Sequence, residues 1–284
     1  MTANEAARTP RGGGDVMAAR PMWHVILVRP ETMTFVLLVV GVFAASTLSP
    51  FFLDIDYILR SFTLSAEIAM AALVLTLVIV SGEIDLSAAS NMALSAALFA
   101  FAQEAGVPMA LAIAIGLGAG LLMGAFNAFM VIRLELPSII VTIGTLIFFR
   151  GLAQVIAGDR SIRVPEWFIG VNDVMVLGMP LPVALFIAMS IVLAIVLGMT
   201  AYGRQIYQIG TNPVAARHAG IKSNRIKVGL FLLLGFVSAV GGLLTASRLG
   251  SVRYDIALGG ELQMVLMVML GGTYIFGGRG TILG

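Results

Sequence analysis

The chain has no cysteine, which excludes disulfides, thiolate nucleophiles and cysteine-based metal sites. It has two histidines, His24 and His218, far apart in sequence, so a histidine metal cluster is not expected. Charge is also scarce. Asp, Glu, Lys and Arg make up 11% of the 284 residues, where a soluble domain carries about 25%. Apolar residues account for 59%, and the mean hydropathy is +1.02. A soluble core of this composition would leave too little polar surface to cover it. The net charge of +2 is small and the basic residues sit in loops, so nucleic-acid binding has no support. No Gly-Lys-Ser/Thr phosphate loop follows any strand pattern, so the chain is not expected to hydrolyse ATP itself. No cofactor, no metal and no catalytic residue is expected.

What is present is a series of long apolar runs. A membrane-crossing helix needs about 20 mostly apolar residues, with a range of about 17–25. Charge-free runs of that size occur at 32–53, 86–102, 107–132, 181–199, 228–247 and 262–278. Two further runs each contain one charge: 64–81 holds Glu67, and 138–157 holds Arg150. The expected fold is therefore all-α, a polytopic transmembrane helical bundle with about eight spans. Residues 1–30, small, polar and Arg-bearing, read as a disordered cytoplasmic tail. Residues 31–284 read as one transmembrane domain. With the N-terminus inside, eleven of the 17 Lys and Arg fall on the inner side and six on the outer. That orientation makes 158–179 an external loop, where Pro165, Trp167 and Phe168 fit either an interfacial segment or a plain connector.

The strongest local signal is a hydrophilic island at 202–227. It carries Arg204, Arg217, Lys222, Arg225 and Lys227, with no acid to balance them. Such a loop stays cytoplasmic. Within it Asn212-Pro213 reads as a helix start, with Asn capping and Pro in the first position, and Gly220 as its stop. A short helix across the cytoplasmic face and a basic loop that fixes topology are both compatible with this.

Other constellations are less specific. Ser81-Gly82-Glu83-Ile84-Asp85-Leu86-Ser87 places two carboxylates between two apolar spans. It fits a tight turn in which Asp85 or Ser87 caps the next helix, a broken helix, or a site for proton or cation coupling. Glu67, early in an otherwise apolar helix, fits a residue facing a substrate cavity or one near the outer interface that reaches water, and the second is expected. Gly116, Gly118, Gly120 and Gly124 predict close helix packing, with Asn127 just beyond them. The Gly-rich stretch 271–280 reads as a tight helix-ending turn.

Taken in order, SGEIDLS, GRQIYQIGTNPVAARHAGIKSNRIK and LGGTYIFGGRG resemble permease subunits of sugar-type ATP-binding-cassette importers, similar to ribose, xylose, rhamnose and autoinducer-2 permeases. The resemblance covers about residues 30 to 284. It implies a multi-pass protein of the cell inner membrane that transports a sugar or sugar-like solute, using ATP hydrolysed by a separate subunit. It implies as partners a cassette ATPase, a second permease subunit (the same chain or a different one), a periplasmic solute-binding protein and membrane lipid. The loop 201–227 would match the coupling loop. Asn212, Pro213, Ala215, Ala216, Arg217, Gly220 and Ile221 would contact the ATPase. Glu83, Asp85, Ser87, Asn91 and Asn127 are candidates for the translocation path, with Gln154 a further polar residue of interest. Two departures stand out. The family usually has Gly where this chain has Glu83. Its members also usually run on past the equivalent of Gly284, so one or two further spans are expected there. Alternatives are an ion-coupled secondary transporter using Glu83 and Asp85, and a branched-chain amino acid permease of a related group.

Overall fold

The computed structural model of the protein describes residues 30–284. The tail expected at 1–30 lies, but for Pro30, outside the described residues. Eleven α-helices follow: α1 (Pro30–Leu48), α2 (Ile55–Val80), α3 (Ala88–Glu104), α4 (Met109–Ala128), α5 (Ser138–Ala157), α6 (Glu166–Ile169), α7 (Leu181–Met199), α8 (Ala201–Thr211), α9 (Pro213–His218), α10 (Ser223–Leu249) and α11 (Gly260–Leu270). A π-helical turn, Phe129–Arg133, extends α4. Proline and glycine punctuate this order. Pro108, Pro137 and Pro180 stand immediately before α4, α5 and α7, where their fixed φ suits a helix entry. Gly158 and Gly250 end α5 and α10 at positive φ, which costs a glycine little.

Among the described residues, five helical segments are long and apolar enough to cross a membrane: Tyr57–Val80, Met109–Arg133, Ser138–Ala157, Leu181–Met199 and Ser223–Leu249. The chain is an all-α helical membrane protein. Two of the eight expected runs are shorter as helices, and a third is displaced. The run 86–102 becomes α3, of the same 17 residues' length but starting at Ala88 and ending at Glu104, because the chain stays non-helical through Ser87. The run 262–278 becomes α11, of 11 residues, stopped at Gly271-Gly272 as expected of the Gly-rich stretch. The run 32–53 ends as a helix at Leu48, two residues before Pro50.

Inside the bundle the centre is α3, enclosed by α4, α5 and α10. Its residues are mostly Ala and Ser, so neighbours approach closely. α4 and α10 meet backbone to backbone. A Cβ added to Gly124 would lie 2.4 Å from the Phe231 carbonyl oxygen, and one on Gly235 would lie 2.3 Å from that of Gly120. Gly116 and Gly120 serve this packing as expected. Gly118 does not, since nothing lies within 4 Å of its added Cβ. α2 packs on α10, α7 and α11. The outer rims of α1, α4, α5 and α7 present large apolar side chains such as Phe43, Leu122, Ile147 and Ile191.

Glu67 corrects its expectation. It is 1% exposed, within α2, and the Arg248 guanidinium holds it at 2.9 Å (Nε–Oε1) and 2.8 Å (Nη2–Oε2). The Thr245 hydroxyl donates to the same carboxylate at 2.7 Å. Glu67 lies inside the run 64–81 and Arg248 just past the end of 228–247, and the pairing is what makes burial of the acid tolerable. Arg150 is held differently, its Nη1 donating to the carbonyls of Tyr254 (2.9 Å) and Ile256 (2.6 Å) while its Nη2 is buried without a partner among the described residues. The loop after α5 is ordered. Strand Ile162–Arg163 pairs antiparallel with Ser251–Val252, and Met175–Val176 pairs with Met179–Pro180. Phe168 is buried against Phe99 while Trp167 is exposed.

Candidate functional site

The hydrophilic island folds as two short helices between α7 and α10. α8 buries Gly203, Ile206 and Ile209 against the bundle and turns its polar face outward. Thr200 caps it, accepting from the Gly203 N–H at 3.1 Å. Asn212 then ends α8 and starts α9. Its Oδ1 accepts from the N–H groups of Val214 (3.1 Å) and Ala215 (2.9 Å), and Pro213 occupies the first turn. Gly220, at φ +79°, releases the chain toward α10. The expected helix is therefore present with the expected cap and stop. Ala216 is its buried contact; Val214, Arg217 and His218 are exposed.

Two cavities flank α9. One, of about 380 Å³, lies between α8 and α9 and is lined by Tyr207, Gln208, Thr211, Asn212, Ala215, Ala216, Ala219 and Ile221. The other, of about 830 Å³, opens between the α4–α5 connector and the start of α10. Glu83, Ser138, Arg217, Ile221, Lys222 and Lys227 are among its walls.

The connector between α2 and α3 starts at this second cavity and runs inward. The Glu83 carboxylate meets the Lys227 ammonium at 2.5 Å. The Ile84 N–H donates to the Ser138 hydroxyl at 3.2 Å, and the Thr142 hydroxyl donates to the Ile84 carbonyl at 3.3 Å. Deeper in, Asp85 Oδ1 accepts from the Ser87 N–H (2.8 Å) and hydroxyl (2.7 Å). Asn127 Nδ2 reaches Ser87 Oγ at 2.7 Å and Asp85 Oδ2 at 3.3 Å. Asp85 thus folds the chain just before α3 around Ser87, but neither Asp85 nor Ser87 caps the helix through its side chain, so the expected cap is absent. Burial pushes its carboxyl above the ordinary range, and the bonds from Ser87 and Asn127 pull it back. Asn127 Oδ1 is buried without a partner among the described residues. One turn on, Asn91 donates to the Gly120 carbonyl at 3.4 Å and accepts from Ser95 at 3.1 Å.

The candidate path residues therefore divide. Asp85, Ser87 and Asn127 form one knot, with Asn91 further along α3, and all four are buried. Glu83 instead faces the large cavity. Gln154 stands apart, exposed on α5.

A contact that the sequence did not announce joins the island to this connector. Gly210, at the end of α8, packs on the last turn of α2. A Cβ there would lie 1.9 Å from the Val80 carbonyl oxygen and 2.6 Å from the Gly278 nitrogen. The Gly278 N–H itself donates to the Val80 carbonyl at 2.9 Å. Gly277, at φ +87°, closes over Gly82, itself at φ +88°. Tyr207 adds a bond from its hydroxyl to the Gly280 carbonyl at 2.6 Å. The only sequence signal for this junction was the crowding of glycines at 277–280.

Comparison with known proteins agrees with this architecture. A family model described as branched-chain amino acid transport system / permease component matches residues 57–284. The autoinducer 2 import system permease protein LsrD of Enterobacter sp. (strain 638) is 34% identical over 263 residues, covering 89% of this chain and 80% of that protein. The LsrD proteins of Escherichia coli (strain K12) and Shigella flexneri are each 34% identical over 255 residues, covering 87% of this chain and 77% of theirs. No solved structure matches the chain significantly. With a buried helix core, a capped two-helix insert and a family match over most of its length, the chain belongs to this permease family and is a membrane permease of the ATP-binding-cassette importer type.

Proposed function

We propose that the chain carries a sugar or sugar-like solute across the cell inner membrane, driven by ATP hydrolysed on a separate cassette ATPase. The autoinducer-2 importer relatives support this solute class over branched-chain amino acids. In this reading the N-terminus and the island lie in the cytoplasm, because the island holds five basic residues and no acid. Residues 1–30 are a tail and 31–284 the permease domain. α1, α3 and the segment from α11 through the Gly-rich stretch complete eight crossings, α3 at the short end of the usual range and α11, at 11 residues, too short to cross as a helix by itself. A second permease subunit and a periplasmic solute-binding protein complete the transporter.

One observation carries the mechanism. α9 stands on α8, and α8 touches the end of α2 through Gly210 with no side chain between. A push on α9 would travel through that contact into the connector that holds Glu83, Asp85 and Ser87. Asn212, Pro213, Ala215, Ala216, Arg217, Gly220 and Ile221 are the proposed docking residues. Release of the Asp85–Ser87–Asn127 knot, with Asn91 beyond it, is the proposed opening of the path.

The test is charge reversal at exposed Arg217. Arg217→Glu should insert normally yet lose ATP-driven uptake in proteoliposomes containing ATPase and binding protein. Wild-type uptake in this variant would overturn the docking assignment. Uptake that follows an ion gradient and ignores ATP would overturn the energy source.

A further inference from the structure

We infer that the large cavity beside α9 is a binding site for a phosphate-bearing anion, most simply the headgroup of an anionic lipid. The cavity holds about 830 Å³, enough for a headgroup with its glycerol. Its charges do not cancel. Lys227 is spent on Glu83 at 2.5 Å, which removes one base and one acid from the count. Arg217, Lys222 and Arg225 remain, without ion-pair partners among the described residues, against Glu135 alone. Ser138 and Ser223 add hydroxyl groups to the wall. The first turns of α5 and α10 also meet here, and neither carries a side-chain cap, so their partial positive ends add to the field.

The wall formed by the π-helical turn and the α4–α5 connector is mainly apolar. Val131, Ile132, Leu136 and Pro137 line it, with Glu135 and Ser138 among them. A cavity basic on one side and apolar on the other, set where two apolar helices end, matches an amphiphile with an anionic head. Basic pockets between membrane helices on the cytoplasmic side hold such headgroups. A purely topological role would need the basic residues only somewhere in the loop. It would not need them gathered with two helix starts around one cavity.

This site does not depend on the solute or on ATP. Its test uses the full chain, purified and measured by native mass spectrometry. Phosphatidylglycerol and phosphatidylcholine are offered in turn, and glycerol phosphate is titrated separately. The variant is Lys222→Gln/Arg225→Gln, with both substitutions exposed and thermal stability checked against the wild type. At about 1 kcal/mol per basic residue, the pair should weaken phosphatidylglycerol retention about 30-fold. Selective retention of phosphatidylglycerol that the variant loses is the expected result. Saturable glycerol phosphate binding lost in the same variant, without lipid preference, supports the phosphate site with a soluble ligand. Equal retention of both lipids with no glycerol phosphate binding, or retention unchanged in a variant of wild-type stability, overturns the proposal.

Discussion

Glu83 and Lys227 form an ion pair at 2.5 Å that ties the connector before α3 to the first turns of α10. Their side chains are 16% and 18% exposed, so solvent screens the pair only in part. Removing one partner strands the other. Glu83→Gln or Lys227→Met should each cost about 3 kcal/mol, while the double variant should cost little more than either alone. Thermal denaturation in detergent across the four-member cycle checks this. Additive single losses would show that the two groups act independently.

Gly210 allows α8 to sit on the backbone of α2. Gly210→Ala would place a Cβ 1.9 Å from the Val80 carbonyl oxygen, and backbone on both sides leaves no flexible end to move aside. The expected cost is about 1–3 kcal/mol, with reduced transport even where the protein survives. Gly118→Ala is the matched control, because its added Cβ meets nothing within 4 Å. There the helix-propensity gain of about 1 kcal/mol should appear instead. Melting temperatures for the two variants should move in opposite directions.

Asn212 holds two N–H groups of α9 with one oxygen. Asn212→Ala should cost about 1 kcal/mol locally, and Asn212→Asp should restore the cap. If α9 transmits force, uptake and ATP-hydrolysis stimulation should fall in the first variant and return in the second. Equal uptake in all three proteins would separate the cap from transport.

Asp85 gives a pH prediction. Its carboxyl is raised above the ordinary 3.8 by burial. A raised folded-state value favours the protonated form in the fold. The stability it contributes is therefore full below the unfolded value and is lost as pH rises through the folded one. Asp85→Asn, which keeps an acceptor for Ser87, should flatten that decline. Melting temperatures of both proteins from about pH 4 to 7 give the comparison. A parallel slope in the two would place the pH dependence elsewhere.

Much of this was legible in the residues. The island announced its own helix, because Asn-Pro and Gly act locally on a few dihedrals. The α4 glycines announced close packing at three of four positions, and only the fold could say that Gly118 looks outward. The start of α3 was not legible. Hydropathy treats 86–102 as one run, but the bonds that keep Ser87 non-helical reach Asn127, distant in sequence. The partners of Glu67 and Glu83 were hidden for the same reason. Arg248 and Lys227 are read from sequence as a span-end base and a loop base, and only packing turns them into counter-charges. The Gly210–Val80 contact likewise joins residues that no local pattern relates.

The enclosure of α3 has a consequence for how the protein is made. α10, one of the three helices around it, is synthesised well after α3 has left the ribosome. Until α10 arrives, Ser90, Asn91 and Ser95 have lost one side of their shelter and must face lipid, the insertion machinery or a transient neighbour. A chain interrupted before residue 223 would leave the α10 side of these residues permanently open, with α4 and α5 as their only cover. Such nascent fragments should be the ones that membrane proteases clear fastest, and a substitution that loosens the α4–α10 glycine seam should lengthen the window in which the full chain shares their fate.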